Sequence, residues 1–168
     1  MVIQSVNVMS DTGFTHLDDT GRAKMVDVGE KAITHRTATA RSIVYLPDEV
    51  LAQLVDGDLN TKKGSVFQIA IIAGIMAAKK TGDLIPLCHP LGLENCDITI
   101  QFNVEHEVVI NCTASITAKT GIEMEALVGA SVAALTIYDM CKALSHDIVI
   151  KETKLIEKTG GKRDFKRT

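Results

Sequence analysis

Hydrophobic and polar residues alternate most regularly between positions 93 and 118. Cys96, Ile98, Ile100, Phe102 and Val104 share one parity, and Val108, Ile110, Cys112, Ala114, Ile116 and Ala118 share another. Polar residues fill most of the gaps, with Glu105, His106 and Glu107 between the two runs. A period of two interrupted by a polar turn predicts an antiparallel hairpin, 93–104 with 108–118, that buries one face. Cys96 and Cys112 then point inward as small apolar groups. Positions 32–46 (AITHRTATARSIVYL) are rich in Thr, Ile, Val and Ala and predict an earlier strand, and 148–158 (IVIKETKLIEK) a last one. A short strand over 24–28 (KMVDV) would set Asp27 at its end.

Two stretches are apolar without alternation. The first, 66–80, follows Ser65, with Gln68 three residues on, which is a capping box opening a helix. Lys79 and Lys80 suit the negative end of that helix, and Gly82 is a natural stop. The second, 119–143 (KTGIEMEALVGASVAALTIYDMCKA), offers Thr120 and Glu123 as a similar box. From 126 to 137 it holds only small or apolar residues apart from Ser131 and Thr136, and it then meets Asp139 and Lys142 on one helix face. Pro47 starts a short helix, 47–55, while 56–63 and 83–92 read as loops.

Strand, helix, strand, strand, helix, strand is the split βαβ order. The expected class is therefore α+β, a ferredoxin-like (βαββαβ) antiparallel sheet with its helices packed on one face. Residues 1–22 have mixed polarity and little period and are expected to form a flexible arm before a single domain, 23–168. A sheet covers one side of a helix, yet both long helices are apolar well beyond one side, so a homo-oligomer is expected.

Composition narrows the class of function. The chain has 168 residues, a net charge of −3 and a pI near 5.9, a balance that argues against nucleic acid as partner. Its opening residues show no basic segment before an apolar run, and the apolar stretch 69–78 is too short for a bilayer. A cytoplasmic protein without membrane contact is expected. Cys88, Cys96, Cys112 and Cys141 show no CxxC spacing, which counts against zinc and thioredoxin-like readings.

Candidate chemistry collects in a few places. Lys62 and Lys63 precede the first long helix, Cys88-His89-Pro90 follows it, and Lys158 to Lys162 closes the last strand with two glycines between. Glu123 and Glu125 open the second long helix, and Asp139 and Lys142 end it. Lysines and an arginine suit a phosphorylated substrate. Carboxylates, His and Lys suit general acid and base work. Plain structural roles exist for each: Lys63 as a solvated cation, Asp139–Lys142 as a surface pair worth well under ~1 kcal/mol. Adjacent Cys88 and His89 lack further ligands at metal spacing, and the Lys158–Lys162 segment lacks full P-loop spacing. Glu125 and Asp139 lie within about 40° on the helix wheel but roughly 21 Å apart along it. One small-molecule site cannot use both from one helix. Two copies packed antiparallel about a two-fold would bring Glu125 of one near Asp139 of the other.

LIPLCHPL (84–91), GIEMEAL (121–127), AALTIYDMCKA (133–143), MVDV (25–28), KKGSVF (62–67) and the Lys158 and GGK tail together resemble the MoaC family, the cyclic pyranopterin monophosphate synthases of molybdenum-cofactor biosynthesis. The resemblance runs over nearly the whole chain from about Lys24. It implies rearrangement of 3′,8-cyclo-7,8-dihydroguanosine 5′-triphosphate to cyclic pyranopterin monophosphate, with release of diphosphate. It also implies a ferredoxin-like hexamer, a trimer of dimers with active sites between subunits. Carried over by motif, Asp139, Lys142 and Lys63 are catalytic. Leu87, Cys88 and His89 form one substrate-binding element and Met124 with Glu125 a second, while Glu123, Asp27, Arg36 and Lys158 fall on further pocket positions. No redox cofactor or resident metal is implied, and a Mg²⁺ carried by the triphosphate is compatible with the chemistry but not demanded. The chain departs from the family pattern at Lys62, where a His is familiar, in a slightly longer segment between Asp27 and Lys63, and in a shorter tail after Gly161. A metal-dependent nucleotide phosphohydrolase and a non-catalytic nucleotide- or pterin-binding oligomer are the competing readings.

Overall fold

The computed structural model of the chain describes residues 16–18, 20–55, 57–61 and 64–168. The arm expected over 1–22 lies mostly outside them, as do Lys62 and Lys63. Four long strands carry the sheet: β1 (Thr34–Tyr45), β5 (Asn95–Phe102), β6 (Val108–Ala118) and β7 (Val149–Thr159). Between them come α1 (Asp48–Leu51), β2 (Leu54–Val55), β3 (Asp58–Thr61), β4 (Gly64–Ser65), α2 (Val66–Ala78), α3 (Thr81–Leu84) and α4 (Glu123–Cys141), and β8 (Phe165–Lys166) ends the series.

The main sheet is ordered β5-β6-β1-β7-β8, and every pairing in it is antiparallel. β1 and β5 run parallel with β6 inserted between them, and β6 and β7 run parallel with β1 inserted. That is the split βαβ arrangement given twice, the ferredoxin-like fold. The hairpin register sets Ile98 opposite Cys112, Ile100 opposite Ile110 and Phe102 opposite Val108, so one parity of each strand faces the helices. Both long helices lie on that face, α4 over β1, β6 and β7, and α2 over β5. Val44, Val108, Ile110, Ala134 and Ile137 are wholly buried between the layers. Each large aliphatic among them contributes about 1.5–3 kcal/mol from burial.

α2 and α4 cross antiparallel and very close. A Cβ on Gly74 would stand 2.7 Å from the Gly129 carbonyl oxygen, and one on Gly129 would stand 2.6 Å from Cys112 Sγ. α4 is the one helix among the described residues long and apolar enough to cross a bilayer. Its packing against the sheet on one side and α2 on another makes it a core helix.

Several local expectations change. Residues 24–28 form no strand, and Asp27 instead turns the chain by accepting the Gly29 N–H at 2.8 Å. Segment 56–63 is not a plain loop: β3 pairs with β2 and β4 in a small sheet. The reason is Asp58, whose carboxylate accepts from the Ser65 hydroxyl and from the Phe67 N–H at 3.1 Å, tying this segment to the start of α2. Ser65 caps α2 as expected, accepting the Gln68 N–H at 3.1 Å. Thr120 does not cap α4. The helix begins at Glu123, so the N-cap position falls on Ile122, with no side-chain cap, and the Glu123 carboxylate pairs with Lys158 at 2.7 Å. The helix expected over 47–55 ends at Leu51, and α3 takes up the start of the loop expected over 83–92. The basic tail folds back as β8 on β7.

Candidate active site

β6 delivers the chain to the start of α4, and the loop after α3 passes beside it. Leu87, Cys88, His89, Glu123, Met124 and Glu125 thereby line one cavity of about 300 Å³. Both binding elements expected from the sequence meet there. Glu125 is only 3% exposed. Burial, and then the charge of Glu123, pushes its carboxyl above the ordinary glutamate value, against the pull of its own amide. Burial also acts to raise Glu123, but the Lys158 ammonium overrides it, with Arg36 adding to the effect, and the carboxyl ends below the ordinary value. Two carboxyls two residues apart are thus driven in opposite directions. Burial raises the Cys88 thiol, with Glu125 reinforcing it, so Cys88 faces the cavity as a thiol and not as a nucleophilic thiolate.

Glu123 and Gly121 also line a second cavity of about 340 Å³, walled by Arg36, Lys158, Lys162 and Lys31. Lys31, Arg36 and Lys162 continue into a third, of about 300 Å³. The Arg36 guanidinium is fixed by bonds from Nε to the Ala118 carbonyl (3.0 Å) and from Nη2 to the Lys119 carbonyl (3.3 Å). Gly160 makes the turn that folds the tail against it. Its φ of +78° and its contact with β1 require glycine, since a Cβ would fall 1.9 Å from the His35 carbonyl oxygen. The Thr34 hydroxyl bonds the Gly160 carbonyl at 2.6 Å and locks the turn. Asp27 is exposed and lines none of these cavities. Its turn leads to Lys31 and is pinned by Lys119 Nζ, which donates to the Gly29 carbonyl at 2.6 Å.

The other end of α4 holds a separate group. Lys142 Nζ and Asp139 Oδ1 stand 2.7 Å apart, both about half exposed. The hydrogen bond from Lys142 to Asp139 raises the lysine above its ordinary value, so it stays an ammonium. Asp58, at the head of α2, approaches the same end: together with burial it raises the Cys141 thiol to about 11, burial being the larger cause. Within one chain the structure does not bring Asp139 and Lys142 to Glu125. The helix of 19 residues keeps Glu125 and Asp139 roughly 21 Å apart along its axis. Lys63 lies outside the described residues. Among the described residues no three His, Cys, Asp or Glu side chains group as a metal site would require.

Lys31 and His16 also line the carboxylate cavity, and sequence reasoning missed both. Neither belongs to a periodic element. The only signals were a lysine two residues past a Gly and a histidine in a polar arm, and neither singles out a site.

The chemistry available is consistent across these cavities: a nearly buried acid lining a cavity with a His, and next to it a cluster of cations in which Arg36 is held on backbone carbonyls and Lys158 on Glu123. The MoaC family model matches residues 25–161. A cyclic pyranopterin monophosphate synthase of Xanthomonas axonopodis pv. citri (strain 306) is 55% identical over 151 residues, which are 90% of this chain and 92% of that protein. The synthase of the same name from Bacillus subtilis (strain 168) is 51% identical over 159 residues, 92% of each chain. The molybdenum cofactor biosynthesis bifunctional protein of a Synechocystis strain is 52% identical over 159 residues, which make up 46% of its length.

Proposed function

The chain belongs to the MoaC family, and from that membership we propose that it is a cyclic pyranopterin monophosphate synthase, a diphosphate-releasing lyase of molybdenum-cofactor biosynthesis. The substrate is 3′,8-cyclo-7,8-dihydroguanosine 5′-triphosphate. The observation that carries the reading is that the carboxylate-and-histidine cavity shares Glu123, Gly121 and Lys31 as lining with the cationic one beside it. A purine-derived ring needs proton donors and acceptors on its heteroatoms, and a triphosphate needs cations. The two needs are served side by side.

The roles follow from the local electrostatics. Glu125, its carboxyl raised by burial, is the group of the pair that holds its proton more tightly, while Glu123 remains a carboxylate paired with Lys158. With His89 they exchange protons with the ring as it opens and recloses. Leu87, Cys88 and Met124 bound the ring as apolar walls. Arg36 and Lys158, with Lys63, offset negative charge as the α-phosphate is attacked and diphosphate departs. Asp139 and Lys142 complete the acid–base set from a neighbouring subunit, since no single chain unites them with Glu125.

That assignment entails an oligomer, proposed as a hexamer built as a trimer of dimers. Ile72 and Met76 on α2 and Leu135 on α4 are each more than half exposed, apolar surface that a second subunit would cover. No cofactor is assigned, and any Mg²⁺ comes with the triphosphate. A cytoplasmic location belongs to the same reading, since all four cysteines are free thiols.

Incubation with the cyclic guanosine-derived triphosphate should release diphosphate and yield a pterin that fluoresces after oxidation. Folded, oligomeric protein that gives neither product overturns the proposal. Turnover that survives strict chelation would weigh against the phosphohydrolase.

A further inference from the structure

Resting on the synthase reading of this cavity, we propose that His16 is a further substrate-contacting residue, carried to the site by a small preformed turn ahead of the family-matched region. One wall of the cavity that Cys88, His89, Glu123 and Glu125 line comes from the segment before β1, and His16 belongs to it with Val26 and Lys31. The matched region begins only at residue 25.

The segment bearing His16 is not a loose tail. Leu17 and Ala23 form a bridge, and the Lys24 N–H donates to the His16 carbonyl at 2.8 Å. The Asp18 carboxylate accepts the Thr20 N–H, the Thr20 hydroxyl and the Arg22 N–H, at 2.7–2.9 Å. Gly21 closes the turn with φ at +78°. All of these bonds are internal to the turn. The imidazole, by contrast, is exposed and serves no bond within the turn. A braced turn that presents one polar ring to a cavity of acids and a histidine is built to meet a ligand there. A purine-derived ring offers an exocyclic carbonyl, an amino group and ring nitrogens, each a partner for one nitrogen of an imidazole. The remaining ionisable groups that line the cavity, Lys31, Cys88, His89, Glu123 and Glu125, leave His16 as the one supplied from this turn.

The test compares His16→Ala and His16→Gln with the wild type. Because His16 is exposed, neither should shift Tm or oligomeric state. His16→Ala should lower kcat/KM by about tenfold to a hundredfold, within the range of one positioned proton donor or hydrogen-bond partner. His16→Gln, which keeps a donor and an acceptor, should recover part of that loss. A merely structural histidine would move Tm and would not be rescued by Gln. A kcat/KM for His16→Ala within twofold of wild type overturns the proposal. Carbethoxylation of His16 by diethyl pyrocarbonate, mapped by mass spectrometry, gives a readout independent of turnover. Saturating cyclic guanosine-derived triphosphate should slow it at least severalfold, and an unchanged rate also overturns the proposal. If the wild type binds and protects His16 yet forms no product, the synthase reading falls while the contact stands.

Discussion

Glu125 carries the largest conflict between stability and chemistry at the level of single residues. A carboxyl 3% exposed, whose pKa is raised above 4.5 first by burial and then by Glu123, is held in the fold at a cost. The sign follows from linkage: the folded state binds the proton more tightly than the unfolded chain. The penalty is therefore absent well below 4.5, grows as pH rises toward the folded value, and stays constant above it. Glu125→Gln is a neutral near-isostere that removes the ionisation. The variant should melt at or above the wild-type temperature at neutral pH, and its advantage should shrink as pH is lowered through the glutamate range. Its turnover should fall by about 10²–10⁴, the usual contribution of a positioned acid or base. Melting curves from pH 4 to 8 beside rates of diphosphate release check both halves. A variant less stable at neutral pH but equally stable in acid would mean that the carboxylate is stabilised, not penalised, where it lies.

The two long helices set the spacing between the sheet and everything mounted at their ends, and glycines fix that spacing. In Gly129→Ala, helix propensity favours the new side chain by about 1 kcal/mol, but its methyl lands 2.6 Å from Cys112 Sγ. Overpacking of that kind costs typically ~1–3 kcal/mol, so a net loss of stability is expected. Cys112→Ala removes the sulfur, and the next neighbours, the Gly74 carbonyl oxygen at 3.4 Å and Ala78 Cβ at 3.5 Å, tolerate a methyl. The double variant should then be more stable than the sum of the single effects by about 1 kcal/mol or more, read by urea unfolding. Zero coupling would place the helix elsewhere. The same contrast between long and short elements explains what the chain revealed unaided. Alternation along 93–118 and the unbroken apolar run of 126–137 extend over enough residues to give a period, and both the hairpin and α4 lie where they were expected. β3, α3 and β8 span only two to four residues, and contacts made elsewhere in the chain hold them: Asp58 to Phe67, Phe165 to Lys158. The Glu123 half of the expected capping box is likewise taken by a distant contact, Lys158 thirty-five positions away, a partner that local spacing does not show. Cys88, His89 and Glu125 were legible as chemistry by type and motif. His16 and Lys31 were not, because a turn outside any periodic element brings them in.

At the scale of the whole molecule, one chain separates its functional groups. Glu125 and its cavity stand at one end of α4, and the Asp139–Lys142 pair, half exposed, at the other. Because the helix is rigid and packed along its length, no hinge within the subunit can join them. Two copies related by a two-fold, with their α4 helices antiparallel, would create two composite sites, each with Glu125 from one chain and Asp139 from its partner. In such a dimer, Glu125→Gln alone and Asp139→Asn alone each disable both sites. A mixed dimer of one Glu125→Gln chain and one Asp139→Asn chain has one site bearing both changes and one bearing neither. With random exchange, half the dimers are mixed and each has one intact site of two, so about a quarter of wild-type activity should return. Recovery should follow subunit exchange in time, with mixed species confirmed by native mass spectrometry of differently tagged chains. A chain carrying both substitutions, mixed with wild type, controls for simple dilution. If verified mixed oligomers of the two single variants stay as inactive as either parent, each site is built within one subunit, and Asp139 and Lys142 act in something other than the chemistry at Glu125.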